Sequence, residues 1–347
     1  MNNKKIRVLV IDDSPVFRKV IEKGLSLDEK IEVVGTAIDA FDARNKIIEF
    51  DPDVITCDIE MPKMDGITFV KQLMPQYPKP VIMVSSLSDS VFDAMKAGAV
   101  DFISKPNLSV SDGIEDFVYE LIRKIRAAAG SRVIVPSALD INRLQTNATS
   151  NENINNHTNS KTVIAVGAST GGTVALTKFI SQLPIDIPGM VIVQHIPPKF
   201  SYMFAERLNS SSEVNVKEAE TGDYIERGCV LIAPGNKHMR IVKVGHKYKV
   251  ECFQGEKVSG HCPSVDVLFE SVAKNVGKDA VGIILTGMGS DGAKGLLNMK
   301  RKGAMTIGQD AETSVVYGMP KAAFEIGAVE KQLPLLKIAP YLLSKIR

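Results

Sequence analysis

Six residues carry most of the chemistry this chain offers: Asp12, Asp13, Asp58, Ser169, His195 and Asp291. Ser169 lies in "VIAVGASTGG" (163–172), an apolar run that ends in small residues around one hydroxyl. "GASTG" matches G-x-S-x-G, where small residues let a sharp strand-to-helix turn hold the serine exposed. The same glycines suit a phosphate loop, although the stretch is not G-x-G-x-x-G and lacks the Gly-Lys-Ser/Thr of a P-loop. Taken alone it leaves both readings open. A nucleophilic serine needs a general base, an acid to orient that base, and donors for an oxyanion. His195 closes the run "MVIVQH", and Asp291 follows "AVGIILTG" within "ILTGMGSDGAKG". All three residues then sit at the carboxyl edge of one expected sheet, and this convergence favours the nucleophile. Backbone amides near Thr170, and around Met288 in "GMGSDG", are the candidate oxyanion donors. His238, His246 and His261 are read as structural or surface residues.

The acids form a second set. Asp12-Asp13, Asp58, Ser85 and Lys105 fall at the ends of successive expected strands, where open α/β sheets bind ligands. Any one of these acids alone reads as a helix N-cap or a solvated loop residue. Three carboxylates in one crevice repel and need a counter-charge. Mg²⁺ suits them, since it takes oxygen ligands and keeps water and phosphate oxygens in its shell. Lys105 adds a second positive charge, and Pro106 fits a tight turn with a cis Lys105–Pro106 bond. Such a set suits phosphoryl transfer onto an aspartate, where positioning and charge neutralisation dominate.

Two α/β regions must hold these residues in place. In the first, "IRVLVI" (6–11), "EVVGTA" (32–37), "VITCDI" (54–59), "VIMVSS" (81–86) and "DFISK" (101–105) read as strands covered on both faces. Ser14-Pro15 supplies a cap and a first-turn proline for the helix between the first two. Helical patterns separate the other strands, which implies a parallel, doubly wound sheet. In the second, strands are expected at 163–168, 190–195, 230–235 and 280–287, with a hairpin over 238–253 around Gly245-His246. Leu176, Phe179, Ile180 and Leu183 mark a helix stopped by Pro184. Between the regions, "QTNATSNENINNHTNS" (145–160) is almost wholly polar and cannot bury enough apolar surface to offset its ordering entropy.

With 44% hydrophobic and 24% charged residues over 347 positions, the chain has the composition of a globular protein of about two domains. A net charge of +2 gives no reason to expect a nucleic acid or a membrane surface as partner. No signal peptide and no membrane span is read, so a cytoplasmic protein is expected. Its four cysteines show no CxxC spacing, which argues against zinc and against a disulfide framework.

The motifs "VLVIDDSPVFRK", "DVITCDIEMPKMDG", "VIMVSS" and "AGAVDFISKP" resemble the receiver domain of two-component response regulators, over about residues 4–125. The resemblance implies that Asp58 accepts phosphate from a phosphohistidine donor. It also implies Mg²⁺ bound by Asp13, Asp58 and the backbone carbonyl of Glu60, with Asp12 acting through water. Lys105 would contact the phosphoryl group, and Ser85 and Phe102 stand at the hydroxyl and aromatic switch positions.

"VGASTGG", "QHIPPKF", "LIAPGNKHM", "PSVDVLF" and "LTGMGSDGAKG" resemble the catalytic domain of the chemotaxis protein-glutamate methylesterases, the CheB family. That resemblance implies Ser169 as nucleophile, His195 as base, Asp291 as its orienter, Thr170 and Met288 as helpers around the oxyanion, and no cofactor for the esterase. The implied substrates are glutamyl methyl esters, and selected glutamines, on methyl-accepting chemotaxis receptors. The implied phosphodonor is the histidine kinase of that system. Cys262 departs from the arginine common at its position, which puts substrate preference or inhibition in question.

The expected architecture is α/β with two doubly wound parallel-sheet domains. A (βα)5 flavodoxin-like receiver spans 1–126, an Asn-rich linker 127–160, and a larger Rossmann-like esterase domain 161–347. The chain is expected to be a monomer that neither binds nucleic acid nor inserts into a membrane. Its unphosphorylated receiver is expected to cover the esterase cleft. Shifting such a pair from 1:99 to 99:1 open takes about 5.5 kcal/mol.

Three rivals make different demands, one of them a general small-ester hydrolase that a substrate panel would separate. A DNA-binding output domain calls for a basic recognition helix, and the second region shows none. A silent receptor adaptor would have no need of Ser169, His195 and Asp291.

Overall fold

The computed structural model describes residues 4–86, 90–106, 111–133 and 162–346. The chain forms two compact units, Met1–Ile154 and Asn155–Arg347. Most of the expected linker, from 134 on, lies outside the described residues. Its first residues are helical, because the last helix of the first unit runs on to Ala129.

The first unit alternates β1 (Ile6–Ile11), α1 (Pro15–Leu25), β2 (Ile31–Ala37), α2 (Ala40–Phe50), β3 (Val54–Asp58), α3 (Gly66–Gln76), β4 (Val81–Ser85), α4 (Ser90–Lys96), β5 (Asp101–Ser104) and α5 (Ser111–Ala129). The sheet order is β2-β1-β3-β4-β5, parallel throughout. Strands β3 and β4 are buried at every residue, as continuous apolar runs between two helical layers should be. The Ser14 hydroxyl accepts from the Phe17 amide and starts α1 with Pro15, while Asp39 caps α2 on the amides of Phe41 and Asp42. Pairing of Ile11 with Cys57 places Asp12 beside Asp58, at the β1/β3 crevice where the strand order reverses.

Among its described residues the second unit has seven parallel strands: β6 (Val163–Ala168), β7 (Met190–Gln194), β8 (Asn215–Glu218), β9 (Cys229–Ile232), β12 (Ala280–Ile284), β13 (Met305–Gln309) and β14 (Lys331–Leu333). Their order is β14-β13-β12-β6-β7-β9-β8. The expected hairpin is present as β10 (His238–Val244) and β11 (Lys247–Phe253), with Val244 opposite Lys247 and Gly245 at φ 60°. The helices are α6 (Gly172–Ile180), α7 (Phe200–Ser210), α8 (Val265–Asn275), α9 (Ala293–Arg301), α10 (Met319–Glu325) and α11 (Leu335–Ile346). Fully buried Phe179, Phe200, Phe204 and Phe269 fill the space between helices and sheet.

Three strands were not expected. The edge strands β8, "NVKE", and β14, "KQL", are polar because an edge buries little. β13, "MTIGQ", carries a glycine in mid-run. The cis bond among the described residues is Cys262–Pro263, and Lys105–Pro106 is trans, contrary to expectation. No described helix is long and apolar enough to cross a membrane.

Candidate active site and acidic site

β6 is the switch point of the larger sheet. The chain leaves it for β7 on one side and reaches β12 on the other. The residue after β6 is Ser169, whose amide donates to Thr286 O (3.0 Å) just past β12. On the other flank the His195 amide donates to Ala168 O (3.1 Å). Ser169 therefore sits between two strand ends, one carrying His195 and the other leading through Thr286 and Gly287 to Asp291.

The glycines of "GASTGG" have packing tasks. A Cβ on Gly167 would lie 2.2 Å from Val265 Cγ1, and one on Gly172 would lie 2.1 Å from Gln194 Oε1. Gly171 opens α6 at φ 75°, a conformation that favours glycine. The carbonyl of Ser169 accepts from the Gly172 amide (2.7 Å) and from Gln194 Nε2 (2.9 Å), and Thr286 Oγ1 donates to Thr170 O (3.0 Å). These bonds hold the turn rigidly at the start of a helix, whose amide end favours negative charge. Met288, half-buried, follows Gly287, and Gly287 approaches so closely that a Cβ there would lie 2.7 Å from Ser169 Cβ.

His195 Nε2 meets Asp291 Oδ2 at 2.8 Å, with both side chains nearly inaccessible. The Asp291 carboxylate also accepts from Ser264 Oγ (2.8 Å), the Val265 amide (2.8 Å) and the Asp266 amide (3.0 Å). Burial alone would push its proton affinity up, but His195 and the two amides at the start of α8 outweigh burial and hold the carboxyl below the ordinary range. Asp266 lies close by. Burial first, and the neighbouring Asp291 charge among lesser effects, push its carboxyl up, against the hydrogen bonds from the Gly295 amide and Ser259.

Several residues at this site were not singled out from sequence. Ser264 caps α8 through the Val267 amide and binds Asp291 at once. A serine just before the apolar spacing of "VDVLF" was the available signal. His238 is buried as expected: it accepts from the Ser264 amide (3.2 Å) at Nδ1, and its Nε2 meets Glu256 O at 2.8 Å. His246 sits exposed in the β10–β11 turn. His261, read from sequence as a structural or surface residue, is half-buried, and its ring stacks on His195 with centroids 3.6 Å apart and 8° between planes. Cys262 is half-buried, and burial pushes its thiol up.

In the first unit, carboxylate oxygens of Asp12, Asp13 and Asp58 lie within 4.8 Å of one another. Asp12 and Asp58 are buried, and Asp13 is exposed. Lys105 Nζ reaches Asp58 Oδ2 at 2.6 Å and Asp12 Oδ2 at 2.9 Å. That buried Asp12 oxygen has this ionic neighbour and otherwise no hydrogen-bond partner. Burial pushes the Asp58 carboxyl up, partly offset by Lys105. Lys105 itself is raised: burial works against its charge, and the Asp58 and Asp12 carboxylates overcome that. The Glu60 amide faces Asp58 Oδ1 at 3.3 Å, with its side chain exposed. Gly66 admits the Asp58 backbone, since a Cβ there would meet Asp58 O at 2.1 Å. Ser85 Oγ donates to Ser86 O (2.6 Å), and Phe102 is buried edge-on against Phe92. This constellation fits a hard divalent cation, because it holds oxygen donors, excess negative charge and one buried oxygen without a hydrogen-bond partner.

Comparison with known proteins identifies the two domains that carry these sites. Residues 164–342 match the family model of CheB methylesterase, and residues 8–112 match that of the response regulator receiver domain. A protein-glutamate methylesterase/protein-glutamine glutaminase of Syntrophomonas wolfei is 52% identical over 339 residues, covering 96% of each chain. One of Sulfurimonas denitrificans is 51% identical over 340 residues, again covering 96% of each. The crystal structure of the Thermotoga maritima CheB methylesterase catalytic domain is 38% identical, with a TM-score of 0.52, and covers 54% of this chain and 99% of that one. The chain belongs to the CheB methylesterase family, with a response regulator receiver domain ahead of the catalytic domain.

Proposed function

We propose that this chain is a phosphorylation-activated protein-glutamate methylesterase, and a glutamine deamidase, acting on methyl-accepting chemotaxis receptors in the cytoplasm. The observation that supports this reading is the arrival of Ser169, His195 and Asp291 at one sheet edge, where the His195 amide bonds Ala168 O next to Ser169 and His195 Nε2 lies 2.8 Å from Asp291. The esterase works as a monomer without cofactor, nucleic acid or membrane insertion.

Ser169 Oγ attacks the ester carbonyl carbon, and its proton passes to His195. Asp291 occupies Nε2, so Nδ1 is the nitrogen that takes this proton. Asp291 stays ionised and balances the imidazolium. The oxyanion forms against amides at the start of α6, near Thr170 and beside Met288. The carbon–methoxide bond then breaks, His195 returns the proton, and methanol leaves. Water attacks the acyl-serine by the same exchange in reverse, and releases the glutamate side chain. With a glutamine, ammonia leaves instead.

Asp58 is the phosphoacceptor and a histidine kinase the donor. Mg²⁺ would be held by Asp13, Asp58 and the Glu60 carbonyl, with Asp12 behind a water; when bound it supplies charge neutralisation for the incoming phosphoryl group. Lys105 contacts that group, and Ser85 and Phe102 register its presence. Residues 1–126 thus act as input and 161–347 as output, joined by 127–160.

The test is methanol release from methylated receptors by the full chain, with and without acetyl phosphate and Mg²⁺. The wild type releases methanol and speeds up with the phosphodonor. Ser169→Ala releases none, and Asp58→Asn keeps a slow rate that ignores the phosphodonor. Full activity in Ser169→Ala overturns the nucleophile, and a normal response in Asp58→Asn overturns the phosphoacceptor.

A further inference from the structure

We propose that His261 is a positioning residue for the general base, acting through the face-to-face stack of its ring on His195. The inference rests on the reading of His195 as base and adds a residue to its machinery.

The stack is tight and nearly parallel, at 3.6 Å and 8°. A hydrogen bond to Asp291 at one nitrogen aims the His195 ring, and that bond by itself does not set the tilt of the ring plane. A flat surface laid on the ring sets this tilt. Nδ1, the nitrogen that the proposed mechanism assigns to the Ser169 proton, is then held in one direction. Base and nucleophile lose rate steeply when misplaced, by about 10²-fold for 1 Å.

The backbone around His261 is built to hold a ring in place. Val258 and His261 exchange two hydrogen bonds of 3.0 Å across the turn Ser259-Gly260, with φ 53° and 81° at its two central residues. This is the pattern of a tight hairpin turn with both central residues left-handed, and Ser259 pays the steric penalty of a non-glycine residue there. Ser259 Oγ donates to Asp266 Oδ2 (3.2 Å), tying the turn to α8. On the other side, Ser264 is fixed by its cap and by Asp291. One short segment, 258–266, therefore presents a ring to His195 and hydrogen-bond donors to the aspartate that orients it.

A planar ring is what this role requires, and a titratable one is not. The test compares His261→Ala, His261→Leu and His261→Phe in the full chain. Methanol release from methylated receptors is one readout. The rate at which a fluorophosphonate phosphonylates Ser169 is the other, and it needs no receptor. His261→Ala is expected to lower kcat about 10-fold or more at unchanged KM and to slow phosphonylation by the same factor. His261→Phe restores most of both rates, and His261→Leu, of comparable bulk but not planar, does not. Wild-type rates in His261→Ala overturn the proposal. Equal rescue by leucine and phenylalanine overturns it too, by reducing His261 to a space filler. If wild-type protein is phosphonylated at Ser169 but releases no methanol, the methylesterase reading fails while the phosphonylation series still decides the role of His261.

Discussion

Asp291 is buried, yet it stays charged because His195, the Ser264 hydroxyl and the amides of Val265 and Asp266 all donate to it. Its folded proton affinity lies below the ordinary carboxylate range. A depressed carboxyl contributes stability that is fully present above its unfolded pKa and is lost as the pH falls through the folded one. Ser264→Ala removes a charge-assisted hydrogen bond and a helix cap in one step. Its expected cost is about 1–3 kcal/mol of stability, read by urea denaturation at neutral pH, with kcat reduced and KM unchanged. The acid transition should begin at a higher pH than in the wild type, because Asp291 takes up a proton more readily. Ser264→Thr, which keeps the hydroxyl, should recover most of the loss. That Ser169, His195 and Asp291 would share one edge was legible, because each ends or follows an apolar run and strand ends of one parallel sheet lie together. Ser264 and His261 were less so. Their role depends on how closely α8 and the 258–261 turn approach that edge, and residue type does not encode that distance.

The elements that converge on Ser169 do so through glycines. In sequence, the glycines of "GASTGG" fitted a nucleophile turn and a phosphate loop alike. In the fold, Gly167 makes room for Val265 of α8 and Gly172 for Gln194 of β7, so both are needed to bring neighbouring elements against β6. Gly287, after β12, does the same from the other flank. A Cβ there would lie 2.4 Å from Met319 Sδ, 2.7 Å from Ser169 Cβ and 3.1 Å from Ser169 N. The methionine can swing away, but the serine is held by its own backbone bonds to Thr286, Gly172 and Gln194. Gly287→Ala should therefore cost about 1–3 kcal/mol, the usual range for overpacking, and lower kcat by about 10²-fold through displacement of Ser169. Thermal unfolding and methanol release measure the two effects; a fully active Gly287→Ala would mean that the turn has slack the packing does not suggest. Strands such as β1, β3, β4, β6 and β7 could be read from sequence because burial on both faces demands unbroken apolar runs. β8 and β14 could not, because an edge strand makes no such demand, and β13 is broken by Gly308, which leaves room for Val329.

At the scale of the whole chain, two compact units carry two sites with different needs. The acidic site stores unfavourable electrostatics. Burial raises Asp58, Asp12 lies beside it, and Lys105 bridges the two. A raised carboxyl favours the fold below its unfolded pKa, and that contribution is lost as the pH rises through the folded one. At neutral pH the metal-free receiver therefore bears a cost for the Asp58 charge. A divalent cation that binds only the folded site adds about 2.7 kcal/mol at 100 times its Kd, enough to raise the melting temperature of a domain of this size by several degrees. Asp58→Asn should then do two opposite things. Without Mg²⁺ it should raise the melting temperature of the receiver unit, because a buried charge is gone. With Mg²⁺ it should show little further gain, because a ligand is gone as well. Calorimetry of the full chain, titrated with Mg²⁺, tests both. A receiver transition that rises with Mg²⁺ in Asp58→Asn as it does in the wild type would place the cation away from Asp58. A drop in stability for metal-free Asp58→Asn would show that the Lys105 pair outweighs burial.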